Sequence, residues 1–210
     1  MVNLETQSVF ESLCKQIKSK LVIGNPMHSD SLGAQQAAVA LILRQHLEAV
    51  ELLMIKRAVR AGDHWSGHLA LPGGRWQLPD ANLLETAMRE TYEEVGIILA
   101  DGAQVLGQLD TLKPRNPLVP QIDITPFIFT APAGFHFFKQ DESSQSLKLN
   151  QEVAAAFWVP VDYLKAQGLS DAFLLTIQGT ERRFPAYPSE HGPIWGLTER
   201  ILTNFLEIIA

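Results

Sequence analysis

The chain has 210 residues, of which 46% are hydrophobic and 19% charged, and a formal net charge of −6. This length and apolar content suit one well-packed globular domain over residues 1–210. The acidic balance argues against a nucleic-acid partner, because proteins that bind nucleic acids neutralise phosphates with clustered Lys and Arg.

The cysteine content and the hydropathy indicate the compartment. The single cysteine, Cys14, cannot form an internal disulfide, and it lacks the closely spaced Cys or His partners of a zinc site. The longest apolar run, residues 37–43, is too short to cross a bilayer, and the first ten residues lack the pattern of a signal peptide. We therefore expect a cytoplasmic protein without a membrane partner.

The first part of the chain predicts one helix and one hairpin. Apolar residues recur at helical spacing through residues 5–21, which indicates an amphipathic helix. Residues 24–33 are rich in Gly, Asn, Pro, Ser and Asp and are typical of a linker. Two apolar runs, residues 37–43 and 50–55, follow on either side of a short polar segment and are typical of paired β-strands.

A glycine turn followed by an acidic helix lies at the centre of the chain. Gly73 and Gly74 allow close approach of the backbone to other groups because they carry no side chain. Asp80 is a natural N-cap and Gly96 a natural residue to follow a helix C-terminus, so we predict a helix over about 81–95.

Three glutamates lie on one side of this predicted helix. At about 100° per residue, Glu90, Glu93 and Glu94 fall within an arc of about 100°. Such acidic faces are commonly solvated and crossed by i,i+4 salt bridges, and Arg89 has the spacing for one with Glu85 or Glu93. Crowded carboxylates repel one another unless a cation binds between them. A hard divalent ion such as Mg²⁺ or Mn²⁺ prefers oxygen ligands of this kind.

The remainder of the chain predicts further strands and two helices. The strands are expected over residues 97–112, 122–130, 173–177 and 182–184. A polar loop that carries Arg115 joins the first two of these strands. A short helix is predicted over residues 161–167, and an amphipathic helix follows residues 194–198.

The central motif resembles the signature of the Nudix hydrolases. That signature is a glycine, five residues, a glutamate, seven residues, Arg-Glu, an aliphatic residue, one residue, Glu-Glu, one residue, a glycine and an aliphatic residue. The matching positions here are Gly74, Asp80, Arg89, Glu90, Glu93, Glu94 and Gly96. This chain differs in having Asp80 for the first glutamate, one extra residue before Arg89, and Thr91 at the aliphatic position.

The resemblance implies an α/β fold, the Nudix fold, with a central mixed β-sheet sandwiched between α-helices. Residues 1–33 would form the N-terminal helix and linker, and residues 34–210 the catalytic core. The family hydrolyses nucleoside diphosphates linked to another group, so the implied partner is a small-molecule nucleoside diphosphate derivative. A homodimer is compatible with the sequence, which leaves the oligomeric state open.

The resemblance also implies roles for individual residues and Mg²⁺ or Mn²⁺ as the cofactor. Glu90, Glu93 and Glu94 are similar to the family's metal ligands, and the carbonyl of Gly74 is a further candidate. Glu93 or Glu90 would also orient or deprotonate the attacking water. Arg89 would hold the helix acids in position.

Within the family, the coenzyme A pyrophosphatase branch is the most similar. It shares the longer spacing, the aspartate at position 80, and an upstream pattern matched by Leu52-Leu53, Arg57, Gly67 and residues 71–74. Asp63 and Leu71 stand where that branch usually has Arg and Phe. The alternative substrates are ADP-ribose, NADH and nucleotide sugars, and the alternative function is that of a noncatalytic ligand sensor.

Four further residues are candidate substrate contacts. Arg57 and Arg60 precede the glycine turn, and Arg115 lies in a downstream loop. Each arginine could contact phosphate or be a solvated cation. Five residues separate Glu152 from Trp-Val-Pro, and Glu152 resembles a glutamate of many Nudix proteins. It is a candidate extra metal ligand or base, or a solvated glutamate at a strand end.

Overall fold

The computed structural model describes residues 4–22, 35–63, 65–116, 119–132, 147–177 and 180–210. The predicted linker at residues 24–33 and the predicted turn of the last hairpin at 178–179 lie outside the described residues.

Helices and strands follow one another along the described segments. The helices are α1 (Leu4–Lys20), α2 (Leu83–Val95), α3 (Val161–Gln167) and α4 (Gly196–Ile208). The strands are β1 (Gln35–His46), β2 (Ala49–Arg57), β3 (Leu69–Ala70), β4 (Gly73–Arg75), β5 (Val105–Gln108), β6 (Ile122–Thr130), β7 (Val153–Pro160), β8 (Ser170–Ile177), β9 (Thr180–Tyr187) and β10 (Ile194–Trp195). The predicted first helix, first hairpin, short helix and last hairpin are confirmed. Among the described residues, no helix is both long and apolar enough to cross a membrane.

A seven-stranded mixed sheet lies at the centre of the molecule. Its main strand order is β3-β2-β1-β6-β5, with β4 paired to β1 and β7 paired to β2. Strand β1 runs parallel to β6 and antiparallel to β2 and β4. The register places Gly73 opposite Val39 and Gly74 opposite Ala38. The glycine turn is therefore fixed to the strand at the middle of the sheet.

Alternation along β1 divides the core into two layers. Ala38, Ala40 and Ile42 face α2, whereas Leu41 and Leu43 face the opposite side. The opposite layer also contains Ile17 of α1, Leu164 of α3 and Phe205 of α4. Burial of each large aliphatic side chain contributes about 1.5–3 kcal/mol relative to exposure. The predicted central sheet between helices is confirmed, and its two-residue period determines which side chains meet which helix.

A second sheet has three strands in the order β10-β9-β8. Trp195 in the edge strand β10 packs against the other two strands, with ring centroids 5.1 Å from Phe173 and 5.3 Å from Phe184. Thr198 at the start of α4 donates a hydrogen bond to the Leu69 carbonyl at 3.1 Å. This bond ties the second sheet and α4 to the segment just before the glycine turn.

The N-terminus of α2 corrects one prediction. Asn82, not Asp80, is the N-cap, and its side-chain oxygen accepts a hydrogen bond from the Glu85 amide at 3.0 Å. In return, the Glu85 carboxylate accepts one from the Ala81 amide at 2.9 Å. Asn and Asp are equally good N-caps, so the sequence pattern does not choose between them. At the other end, the predicted stop at Gly96 is confirmed by its left-handed φ of 75°.

The predicted strand over residues 97–112 is also corrected. Strand β5 covers only Val105–Gln108, and a turn region precedes it. Ile97 and Leu99 in that region are buried in the same layer as α2. Their apolar character reflects packing against the core, which an irregular segment satisfies as well as a strand does.

Removal of the cap at Asn82 should destabilise the protein measurably. Asn82→Ala is expected to lower the free energy of unfolding by about 1 kcal/mol, because the Glu85 amide loses its acceptor. Asn82→Asp keeps that acceptor and should stay close to the wild type. Urea denaturation at neutral pH measures both variants, and equal losses in the two would contradict the capping role.

Candidate active site

The Arg89 side chain connects the acidic residues of α2. Its Nε and Nη2 each donate to the Asp80 carboxylate at 2.9 Å. Its Nη1 donates to Glu90 at 2.9 Å and to Glu93 at 3.2 Å. Nη2 also donates to the carbonyl of Arg75 in β4, at 3.1 Å. One guanidinium thus orients three carboxylates and holds them beside the glycine turn.

Asp80 is the buried partner of Arg89. Its side chain is 5% exposed and accepts a further hydrogen bond from the Thr86 hydroxyl at 2.9 Å. Burial alone would raise the pKa of Asp80, but hydrogen bonds from Arg89 and Thr86 outweigh it and hold the pKa below its ordinary value. The charged pair also raises the pKa of Arg89. Asp80 therefore has a positioning role at the first acidic position of the motif.

Gly74 is required by the position of the Glu90 side chain. A Cβ atom at residue 74 would overlap the Glu90 carboxyl group and displace it from this position. Burial raises the pKa of Glu90, the hydrogen bond from Arg89 opposes that shift, and the charges of Glu93 and Glu152 add to it. Glu90 is thus a partly desolvated carboxylate among other acids.

Glu94 is the most buried acid of the site. It is 2% exposed, and the Gly73 amide donates to its Oε2 at 2.9 Å. Burial, together with the negative charges of Glu90 and Glu152, raises the pKa of Glu94 to about 7 against the opposing effects of the Gly73 hydrogen bond and Arg57. Near neutral pH this side chain can therefore bind or release a proton.

Glu93 differs from its two neighbours in exposure. Its side chain is 48% exposed and contacts Arg89, and it is not among the residues that line the cleft described below. Side-chain exposure along the predicted acidic face therefore increases from Glu94 through Glu90 to Glu93.

A loop from a distant part of the chain brings Glu152 to this site. The amides of Lys148 and Asn150 donate to the last carbonyls of α2, those of Val95 and Glu94, at 3.0 and 3.2 Å. The Glu152 amide donates to the Asn150 side chain at 2.7 Å. These bonds satisfy the free carbonyls at the end of the helix and place Glu152 in the wall of the cleft.

The two predicted arginines upstream of the turn have different surroundings. Arg60 pairs with Glu152 at 2.8 Å and donates to the carbonyl of Gln151 at 3.0 Å, and it does not line the cleft. Arg57 does line the cleft, where it pairs with Asp63 at 2.9 Å. The acid at position 63 therefore offsets part of the charge that Arg57 presents to a ligand.

The acids open into a cleft of about 910 Å³, large enough for a nucleotide-sized ligand. Its acidic part is lined by Gly73, Gly74, Glu90, Glu94, Glu152 and Arg57. Another part is lined by Arg115, Arg182, Phe184, Trp195, Thr198, Glu199 and Arg200. The structure thus brings most of the predicted site residues to one cavity and leaves Arg60, Arg89 and Glu93 beside it.

The NUDIX domain family matches residues 33–175 of the chain. The uncharacterized Nudix hydrolase NudL of Enterobacter sp. (strain 638) is 33% identical over 178 residues, which cover 84% of this chain and 83% of that protein. The chain belongs to the Nudix family.

Two further similarities accompany this Nudix assignment. An uncharacterized protein of Schizosaccharomyces pombe is 38% identical over 114 residues, which cover 52% of this chain and 32% of that protein. The chain therefore spans about a third of the length of that relative. A MutT/nudix family protein from Enterococcus faecalis has a similar structure, with a TM-score of 0.49 and 15% identity over 87% of this chain and 64% of that one.

The Nudix motif of this chain suits a hard divalent cation by its chemistry. In the described part of the chain, no three Asp, Glu, His or Cys side chains converge on one point. However, the charge of Glu152 acts to raise the pKa of Glu90, and the charges of Glu90 and Glu152 act to raise the pKa of Glu94. Carboxylate oxygens are the ligands that Mg²⁺ and Mn²⁺ prefer. A bound cation would also offset the repulsion between these acids.

At the cationic part of the cleft, sequence reasoning named Arg115 but missed Arg182, Glu199 and Arg200. Glu199 and Arg200 lie in a helix whose apolar spacing indicated only core packing. Arg182 lies in a strand with no motif around it. These residues come from separate elements, and no spacing signal in a single sequence reports that they meet.

Glu94→Gln should change how the stability of the metal-free protein depends on pH. In the folded wild type the pKa of Glu94 lies near 7, above the ordinary 4.5, so ionisation of this carboxyl disfavours the folded state. The penalty is absent below a pH of about 4.5 and grows as pH rises through 7, to an order of 2–3 kcal/mol. The variant should therefore gain stability over the wild type at pH of about 8 and match it at pH of about 4.

Urea denaturation in the presence of a chelator measures this difference. Glu93→Gln is the matched control, because its side chain is 48% exposed and lies next to Glu94 in the sequence. Its stability should run parallel to that of the wild type. If the stability of Glu94→Gln also ran parallel to that of the wild type across pH, the inference that the ionised Glu94 destabilises the fold would be refuted.

Proposed function

We propose that this Nudix protein is a divalent-metal-dependent hydrolase that cleaves the pyrophosphate bond of a nucleoside diphosphate derivative. The observation that carries the proposal is Glu94, a nearly fully buried carboxylate beside Glu90 and Glu152 in a nucleotide-sized cleft. Such an arrangement disfavours the folded state unless cations bind. Metal binding offers a reason why the chain has a buried acid beside two other acids in this cleft.

Under this proposal, Glu90, Glu93 and Glu94 hold Mg²⁺ or Mn²⁺, with the Gly74 carbonyl as a further ligand. When bound, such ions neutralise pyrophosphate oxygens and lower the pKa of a coordinated water. Arg89 keeps Glu90 and Glu93 in place through its own hydrogen bonds.

Proton transfer from the attacking water needs a carboxylate near the substrate. Glu93 and Glu90 are the bases proposed from the motif, and Glu152 is a further candidate because it lines the cleft. The pairing of Arg60 with Glu152 Oε1 fixes one oxygen of that side chain. Arg60 then acts on the substrate indirectly, through Glu152.

Coenzyme A or one of its thioesters is the substrate we propose. Support comes from the branch-specific residues around Arg57, Gly67 and the glycine turn, and from a cleft that combines aromatic and cationic walls. Attack of water on one phosphorus of the pyrophosphate would release 3′,5′-ADP and 4′-phosphopantetheine. Arg57 and Arg115 line the cleft and are proposed to contact the phosphates.

A substrate panel tests the proposal. With Mg²⁺ or Mn²⁺, the protein should cleave coenzyme A faster than ADP-ribose, NADH or nucleotide sugars, and product analysis should show 3′,5′-ADP and 4′-phosphopantetheine. If another compound were cleaved faster, that compound and not coenzyme A would be identified as the substrate. Binding of these compounds without turnover of any would favour a ligand sensor.

Variants of the acids test the proposed roles. Glu90→Gln and Glu94→Gln should each lower kcat/KM by about a hundredfold or more, because a neutral amide is a weak ligand for a divalent ion. Glu93→Gln should also lose most turnover if this residue is a ligand or the base. A loss in kcat/KM of less than about tenfold, with a normal melting temperature, would show that Glu93 is neither a metal ligand nor the base.

A further inference from the structure

The cleft contains a second group of charges, which is distinct from the acids of the Nudix motif. Arg115, Arg182 and Arg200 line the cleft from a loop, from β9 and from α4. Glu90 and Glu94 instead line it from α2. The cleft therefore has an acidic region and a separate, mainly cationic region, although the chain as a whole carries a formal charge of −6.

Arg200 is fixed at this cationic region. Its Nη1 donates to the carbonyl of Lys113 at 2.7 Å, which ties the loop that carries Arg115 to helix α4. Burial lowers the pKa of Arg200, the charge of Arg115 acts in the same direction, and Glu199 opposes the shift. An anion that binds beside both arginines would offset their like charges.

The N-terminus of α4 opens into the same region. Gly196, Leu197 and Thr198, the first residues of the helix, line the cleft. The N-cap residue is Trp195, whose side chain makes no capping hydrogen bond. Free amides at a helix N-terminus attract anions, and the helix dipole adds to the attraction.

The nearby acid does not neutralise these arginines by direct pairing. Glu199 is 5% exposed and accepts a hydrogen bond from Thr203 at 3.1 Å. Among the described residues, Arg115 and Arg182 form no salt bridge, and neither does Arg200. Their guanidinium groups keep donors for a ligand.

We propose that Arg115, Arg182 and Arg200, together with the N-terminus of α4, form a subsite for a phosphomonoester that the substrate carries in addition to its pyrophosphate. This inference rests on the proposed function. Arginine binds phosphate through paired, charge-assisted hydrogen bonds. Coenzyme A carries such a group on the ribose 3′ oxygen, whereas ADP-ribose and NADH do not. The subsite would therefore select among nucleoside diphosphate derivatives.

Strand β9 provides a matched control for this subsite. Arg182 and Arg183 are adjacent and both exposed, but only Arg182 lines the cleft. Successive side chains of a strand point to opposite faces. Arg182→Gln and Arg183→Gln therefore remove the same charge from the same strand on different faces.

The test measures binding of 3′,5′-ADP and of 5′-AMP by calorimetry, at fixed low salt and in the presence of a chelator. The wild type should bind 3′,5′-ADP at least about tenfold more tightly than 5′-AMP. Arg115→Gln, Arg182→Gln or both should reduce that preference by about tenfold, whereas Arg183→Gln should keep it. Thermal melting confirms that each variant is folded.

Equal binding of the two nucleotides by the wild type would overturn the subsite. A preference that persists in both Arg115→Gln and Arg182→Gln would overturn its assignment to these residues. Because no turnover is needed, the outcome is separate from that of the proposed function. Cleavage of coenzyme A and dephospho-coenzyme A at equal kcat/KM would defeat the subsite alone, and turnover of no compound would defeat the hydrolase proposal alone.

Discussion

The pairing of Arg89 with Asp80 is the interaction on which the geometry of the acidic site depends. A guanidinium has five N–H donors, and in this protein all five are used, two on Asp80 and one each on Glu90, Glu93 and the Arg75 carbonyl. Lysine could not make this set of bonds, because its ammonium is a point charge without the planar fork. The buried Asp80 also makes the network costly to break, since loss of Arg89 would leave an uncompensated charge.

The site concentrates unfavourable electrostatics in one cleft. Glu94 is buried against the Gly73 amide, and Glu90 occupies the space that a side chain at Gly74 would need. The other part of the cleft is lined by Arg115, Arg182 and Arg200. Burial of the ionised Glu94 lowers the stability of the ligand-free protein, and a bound cation would relieve it. A metal–phosphate ligand with a further anionic group would satisfy the two regions at once.

Much of the fold could be predicted from the sequence, because it follows from local periodicity. The apolar run of β1 reflects burial on both faces of the sheet, the helical spacing of α1 and α4 reflects one buried face in each helix, and the structure confirms these elements. The predictions were wrong where the chemistry of a residue suits two alternative local structures. Asp80 and Asn82 are both good N-caps, and the apolar Ile97 and Leu99 pack as well in a turn as in a strand.

The sequence alone determined the family, and it predicted a metal site on α2 behind a glycine turn, because both depend on residues within about twenty positions of one another. It also determined the candidates Arg57, Arg115 and Glu152, but not their surroundings. Only the tertiary structure decided that Asp63 pairs with Arg57, that Arg60 pairs with Glu152, and that Arg200 bonds the Lys113 carbonyl. The last two contacts join segments far apart in the chain, and their geometry depends on sheet register and helix packing, which no local spacing specifies.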